Sequence, residues 1–261
     1  MSINNLEKFR SKLASGKTCF GMVITLSDPC VSELAGEIGY DFTWIDAEHC
    51  ALNIETVLHH VMAIRGSNCA PLIRVQWNQW GVIKPMLDIA PAGIIIPMVN
   101  SREEAVEAVA SCKYPPQGNR GCGPRRGRHY GMMPFDEYLV NSASDPMVIL
   151  QIEHIDAVKN LDEILSVSGI DSICIGPTDL SGSMGKFCQF DDPDVKKVID
   201  EISAKVCKAG ILLGAVGGDI PLWQSRGVGW IAMAGDGGSM ASHAKSALEA
   251  ARESASGNYS Y

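Results

Sequence analysis

Short apolar runs recur along the chain, each hydrophobic at nearly every position rather than at every second one. They are TCFGMVITL (18–26), DFTWIDAEH (41–49), APLIRVQ (70–76), GIIIPMV (93–99), MVILQIE (147–153), DSICIGPTDL (171–180), ILLGAV (211–216) and GWIAMAGD (229–236). A strand covered on both faces reads this way, because neither face needs polar residues. Between the runs lie stretches with apolar residues at helical spacing, over 101–112, 156–167, 192–210 and 239–255. Leu6, Phe9 and Leu13 give the N-terminal stretch one apolar helical face, and Gly210 after a Lys-bearing turn reads as a helix stop.

Eight strand–helix units in 261 residues are the arithmetic of a closed (β/α)8 barrel, a TIM barrel in the α/β class. A doubly wound open sheet is the alternative, but it usually has fewer strands, and no GxGxxG follows the first run. No repeat or linker interrupts the pattern, so residues 1–261 read as one domain. One segment is anomalous. PPQGNRGCGPRRGRHYGMMPFDEYL (115–139), rich in Gly, Pro and Arg, lies between the fourth and fifth runs. It is far longer than a usual strand-to-helix link, and such loops are commonly functional.

The composition narrows the partners. The net charge of -8, from 22 basic and 30 acidic residues, disfavours nucleic acid and anionic membranes. No apolar run approaches the ~20 residues of a membrane span, and the N-terminal stretch has no signal-like apolar core. The nine cysteines are odd in number and show no CxxC or zinc spacing, which reads as reduced thiols in a cytoplasmic protein.

Barrel active sites lie at the C-terminal ends of the strands. The polar residues there are Asp46, Glu48 and His49 on the second strand, Arg74 and Gln76 on the third, Gln151 and Glu153 on the fifth, Asp179 after the sixth and Asp236 on the eighth. Glu153 and Asp179 end consecutive strands. Adjacent parallel strands lie about 4.8 Å apart, so two carboxylates there repel unless they share a proton or a cation. Hard oxygen ligands, few in number, suit a divalent cation such as Mg²⁺ or Mn²⁺. If Ser181 caps the following helix, the amides of Thr178 and Asp179 point into the site as donors for a substrate carboxylate. Arg74 is a guanidinium within an apolar strand and needs an anion, such as the oxygen of an oxo acid or an enolate. His49 is suited to act as a base near neutral pH. No lysine stands at a strand tip, so a Schiff base has no obvious nucleophile.

WIDAEH, IRV, IKPMLDIA, IIIPMV, YPPQGNRG, QIE and IGPTDLSGSMG, in this order and spacing over about residues 18 to 250, resemble the HpcH/HpaI family of class II, metal-dependent pyruvate aldolases, of the 2,4-dihydroxyhept-2-ene-1,7-dioate aldolase type. The resemblance implies a barrel of the phosphoenolpyruvate/pyruvate superfamily. It also implies homohexamers, as trimers of dimers, in which a C-terminal helix swaps between subunits, and a role in aromatic compound catabolism. Carried over by motif, Glu153 and Asp179 bind the metal (Mg²⁺, Mn²⁺ or Co²⁺), and Gln151 with the backbone at Thr178 and Asp179 contacts the oxo acid. His49 is the base, made more basic by Asp88 of LDIA; Arg74 stabilises the transition state, and Asp46 supports this end of the site. Thr178 and Ala47 stand where the family often has Ala and Gly. GCGPRRGRHYG departs most from the family pattern: Arg128 falls at the family's Arg, while Arg125, Arg126 and His129 add polarity. This loop is expected to border the aldehyde half of the site.

The chemistry implied is reversible cleavage of a 4-hydroxy-2-oxo acid to pyruvate and an aldehyde through a metal-bound enolate. The alternatives are a lyase acting on CoA esters or a decarboxylase of the same superfamily, or a non-catalytic barrel that binds a metabolite.

Overall fold

The computed structural model describes residues 3–256; residues 1, 2 and 257–261 of the expected domain lie outside the described residues. Helix α1 (Leu6–Ala14) precedes strand β1 (Cys19–Ile24). There follow α2 (Cys30–Ile38), β2 (Phe42–Asp46), α3 (Ile54–Ala63), β3 (Ala70–Arg74), α4 (Trp80–Asp88), β4 (Gly93–Ile96) and α5 (Arg102–Cys112). The second half runs α6 (Phe135–Ser142), β5 (Met147–Ile152), α7 (Ile155–Lys159), α8 (Leu161–Leu165), β6 (Ser172–Ile175), α9 (Pro177–Ser183) and α10 (Pro193–Lys208). It closes with β7 (Leu212–Val216), α11 (Ile220–Ser225), β8 (Trp230–Gly235) and α12 (Asp236–Ser256). The eight strands pair in parallel, in sequence order, and β8 returns to β1, so the sheet is a closed barrel.

Local chemistry sets the element ends. Asn53, Ser101 and Asp192 each accept a backbone N–H of the first turn they precede, and Pro193 follows Asp192 where its missing N–H costs nothing. Gly210 at φ +71° follows α10 and turns the chain into β7.

The core has two parts. One lies between strands and helices; the other fills the barrel with Cys19, Phe42, Trp44, Leu72, Ile149, Cys174 and Trp230. Phe9 of α1 stands edge-on to Phe42 with centroids 5.6 Å apart and closes the end where the strands begin. Gly214 makes room for this filling, since a Cβ there would sit 2.1 Å from the Trp230 ring. Among the described residues no helix is long and apolar enough to cross a membrane.

The segment 115–139 differs from expectation. It follows α5 rather than a strand, so it connects a helix back to the N-terminal end of β5, opposite the strand tips where the site was sought. Its arginines tie it there. Arg120 donates to Leu87 O, and Arg126 donates to the carbonyls of Ile89, Ala90, Ile3 and Val61. Arg128 donates to Met133 O within the loop and stacks on Phe135. Within the protomer the loop therefore does not border the aldehyde half of the site. α5 stands between β4 and the loop, and it carries the chain from the tip of β4 back to the end where the strands begin.

Candidate active site

Register brings the first pair together. Asp46 and Arg74 end β2 and β3 as direct partners. Arg74 Nε donates to Asp46 Oδ1 at 3.0 Å and Nη2 to Oδ2 at 2.6 Å, a two-pronged grip, while Nη1 lies 3.0 Å from Glu48 Oε2. The guanidinium also sits 5.1 Å over the Trp44 ring, so the barrel filling forms its floor. Burial works against the Arg74 charge, but the bond to Asp46 and the charges of Asp46, Glu48 and Glu153 outweigh it and raise its pKa. Asp46 Oδ1 further accepts the amides of Glu48 at 3.1 Å and His49 at 3.4 Å, which shapes the turn after β2. His49 leaves that turn with its side chain 60% exposed and Nε2 3.6 Å from Glu48 Oε2.

Across the mouth, Gln151 and Ile152 of β5 pair with Cys174 and Ile175 of β6, which sets Glu153 beside Gly176. Glu153 Oε1 accepts the amide of Met98 at 2.8 Å, and Oε2 accepts from the side-chain amide of Gln151. A Cβ at position 176 would lie 2.6 Å from Glu153 Oε2, so glycine is what allows β6 to approach this carboxylate. Asp179 is exposed on the first turn of α9, and its charge and that of Glu48 both act on Glu153. Burial first, then these two carboxylates, push Glu153 from an ordinary 4.5 up to about 7, against the Met98 bond and Arg74. Glu48 is raised as well, chiefly by burial.

This donor set fits a divalent cation. It offers hard carboxylate oxygens, those of Glu153 buried beside a glycine that lets the chain approach them closely. Glu153 and Asp179 would hold the ion. They supply two ligands only: among the described residues no group of three or more His, Cys, Asp or Glu is arranged to hold a metal. Gln151 orients Glu153 through its Nε2, while its buried Oε1 has no hydrogen-bond partner.

Several residues stand differently from expectation. Ser181 does not cap α9: the helix begins at Pro177 after Gly176, and the Ser181 hydroxyl donates to Thr178 O within it. Thr178 and Asp179 are first-turn residues of α9, whose amides have no intrahelical acceptor. Asp88 lies at the far end of α4, 3.6 Å from Arg120, and makes no contact with His49 among the described residues. The helix runs from the strand tips to the strand starts, so its last residue is remote from His49 of the same protomer. Asp236 accepts the amides of Thr25 and Leu26 and the Thr25 hydroxyl, which ties β8 to β1 rather than equipping the site. Glu48 was visible as a strand-tip acid but given no role; the signal was its place between Asp46 and His49.

Residues 20–238 match the HpcH/HpaI aldolase/citrate lyase family. The chain is 36% identical over 211 residues to a hydroxypyruvate/pyruvate aldolase of Roseobacter denitrificans, covering 79% of this chain and 82% of the relative. It is 34% identical over 233 residues to a 5-keto-4-deoxy-D-glucarate aldolase of Salmonella paratyphi A, covering 88% and 90%. The crystal structure of an HpcH/HpaI aldolase from Desulfitobacterium hafniense superposes with a TM-score of 0.87 at 27% identity, covering 94% of this chain and 96% of that one.

Proposed function

Because the chain belongs to the HpcH/HpaI aldolase/citrate lyase family and is an enzyme of the carbon–carbon lyase class, we propose that it reversibly cleaves a 4-hydroxy-2-oxo acid to pyruvate and an aldehyde, with a divalent cation (Mg²⁺, Mn²⁺ or Co²⁺) held by Glu153 and Asp179. The observation that carries this reading is the opposition across one mouth of an anchored cation, Arg74 on Asp46, and a buried carboxylate, Glu153, whose charge is disfavoured by burial and by the neighbouring carboxylates of Glu48 and Asp179.

When bound there, the cation supplies Lewis acidity toward the carboxylate and 2-oxo oxygen of the substrate. The amides of Thr178 and Asp179 donate to the substrate carboxylate. Gln151 fixes Glu153 and lies within reach of the oxo acid. His49 takes the proton of the C4 hydroxyl. The C4 oxygen becomes the aldehyde carbonyl, the C3–C4 bond breaks, and its electron pair moves toward the 2-oxo oxygen. Arg74, preorganised by Asp46 on the Trp44 ring, stabilises the negative charge that develops there. Protonation at C3 then gives pyruvate.

The named relatives act on small oxo acids, which supports this substrate class. A second copy of the chain is supported by α12, which exposes Met240 and Leu248, and by α2, which exposes Leu34 and Ile38. An exchanged α12 in a homohexamer would cover such faces. All nine cysteines are free thiols, in keeping with a cytoplasmic setting. The test is pyruvate release from a 4-hydroxy-2-oxo acid before and after exhaustive EDTA treatment. Activity lost on chelation and restored by Mg²⁺, Mn²⁺ or Co²⁺ supports the reading; full activity after chelation sinks the metal assignment.

A further inference from the structure

A carboxylate that is to receive a cation needs one orientation, and the chain just after β4 holds Glu153 in place. Met98 stands in the left-handed region at φ +55°, where a residue with a side chain is disfavoured. With this bend its amide donates to Glu153 Oε1 at 2.8 Å. Nothing in a methionine favours such a backbone, so its surroundings must impose it. Asn100 is the group in contact: its Nδ2 donates to Met98 O at 3.1 Å. Asn100 is itself fixed from two sides. Its amide donates to Glu104 Oε2 on α5 at 2.6 Å, and its carbonyl accepts Nδ2 of Asn160, between α7 and α8, at 2.8 Å. The other end of the same side chain has no such use, since Asn100 Oδ1 is buried without a hydrogen-bond partner among the described residues. A buried acceptor left alone costs stability, so packing does not account for an asparagine here; its donor does.

Resting on the proposed placement of a divalent cation at Glu153 and Asp179, we infer that Asn100 is a positioning residue for the metal ligand and acts through the backbone of Met98. Asn100 keeps Met98 in its left-handed turn, and the Met98 amide then engages Oε1 of Glu153 while Gln151 Nε2 engages Oε2. With both oxygens held, the carboxylate meets an incoming cation in one orientation rather than several, and less freedom is lost on binding. The relay runs from α5 and the junction of α7 and α8, through Asn100 and Met98, to the tip of β5. It thereby couples two helical elements around the barrel to a ligand in its mouth.

The test uses the full-length protein and compares wild type, Asn100→Leu, Met98→Gly and the double variant. Mg²⁺ affinity is read by calorimetry on the folded proteins, and the melting temperature is read without metal. Leu keeps the branched shape of Asn, lacks the donor and removes the unpartnered Oδ1. Asn100→Leu should weaken Mg²⁺ binding about 5- to 30-fold, the factor that matches the penalty on one residue in the left-handed region, while the metal-free melting temperature changes little. Met98→Gly keeps the amide and lifts that penalty, so it should bind within about 3-fold of wild type. With Gly at position 98, the Leu substitution should cost a smaller factor than it costs beside Met98. The inference is overturned if Asn100→Leu binds Mg²⁺ as wild type does, or if Leu costs the same factor with Met and with Gly at position 98. Should Asn100→Leu not fold, Asn100→Ala, which deletes the same donor, is read by the same criteria. A wild type that binds no Mg²⁺ overturns the inference together with the metal assignment. A wild type that binds Mg²⁺ but releases no pyruvate from a 4-hydroxy-2-oxo acid refutes the aldolase reading alone, and the affinities still decide the relay.

Discussion

Replacing Arg74 by Ala separates the observed role of its guanidinium, as the partner of Asp46, from the proposed catalytic one. Structurally, Arg74 is the two-pronged partner of Asp46, whose side chain is 6% exposed. Without it Asp46 keeps only the Glu48 and His49 amides and the Cys50 thiol at 3.8 Å. Breaking a buried pair from one side costs about 3–5 kcal/mol, because the remaining charge is stranded. Catalytically, the loss of a preorganised cation at a developing oxyanion should raise the barrier by about 2–4 kcal/mol, or roughly 30- to 1000-fold in rate. The roles part in the double variant Arg74→Ala/Asp46→Asn. Removing the stranded charge should recover much of the stability, read by thermal melting, and none of the rate, read by pyruvate methyl exchange in D₂O. Arg74→Lys should rescue in part only, since one ammonium cannot meet both Asp46 oxygens and Glu48 together. His49→Ala should lose cleavage and keep slow exchange. Wild-type exchange in the double variant would show that Arg74 only braces the strand ends, and the placement of the enolate charge would be wrong.

Three further outcomes are expected. Gly176→Ala drives a Cβ to 2.6 Å from Glu153 Oε2 and 2.8 Å from Gln151 Nε2; it should destabilise by about 1–3 kcal/mol and weaken Mg²⁺ binding measured by calorimetry, and unchanged affinity would count against the placement of the ion. Burial raises Asp145 from 3.8 to about 6, so the folded state holds the proton more tightly. Its contribution to stability is therefore complete below about pH 3.8 and is lost as pH rises through about 6. Asp145→Asn should flatten the melting temperature over that window, and an unaltered pH profile would contradict the burial argument. Borohydride with pyruvate should leave the intact protein mass unchanged, since no lysine stands at a strand tip; a reduced adduct would point to Schiff-base chemistry.

Every strand was legible, because residues covered on both faces must be apolar at each position, and the eight runs bracket the eight strands. The adjacency of β5 and β6 was legible for the same reason: consecutive strands of a parallel barrel are neighbours, which sets Glu153 beside Gly176. What sequence did not carry was direction and reach. The loop 115–139 was read from its composition, but the intervening α5 decides which end of the barrel it serves. Asp88 was placed by resemblance, and within one protomer the course of α4 sets it near Arg120 and remote from His49. Ser181 has the chemistry of a cap, yet Pro177, which needs no N–H partner, opens the helix earlier. Glu48 was missed because a carboxylate beside a carboxylate and a histidine reads as ordinary polarity until distances show what it touches.

Asp46 meets Arg74 through its carboxylate, shapes the turn that launches Glu48 and His49, and receives the thiol of Cys50. Positions 46, 48, 49, 50 and 74 are therefore not five independent letters. A change at one alters the options open to the others. The turn after β6 is under a looser constraint, since the Thr178 side chain is exposed and, in the proposed mechanism, the residue acts through its backbone amide, which most side chains preserve. Change of substrate preference has an easier route along that second rim than along the first.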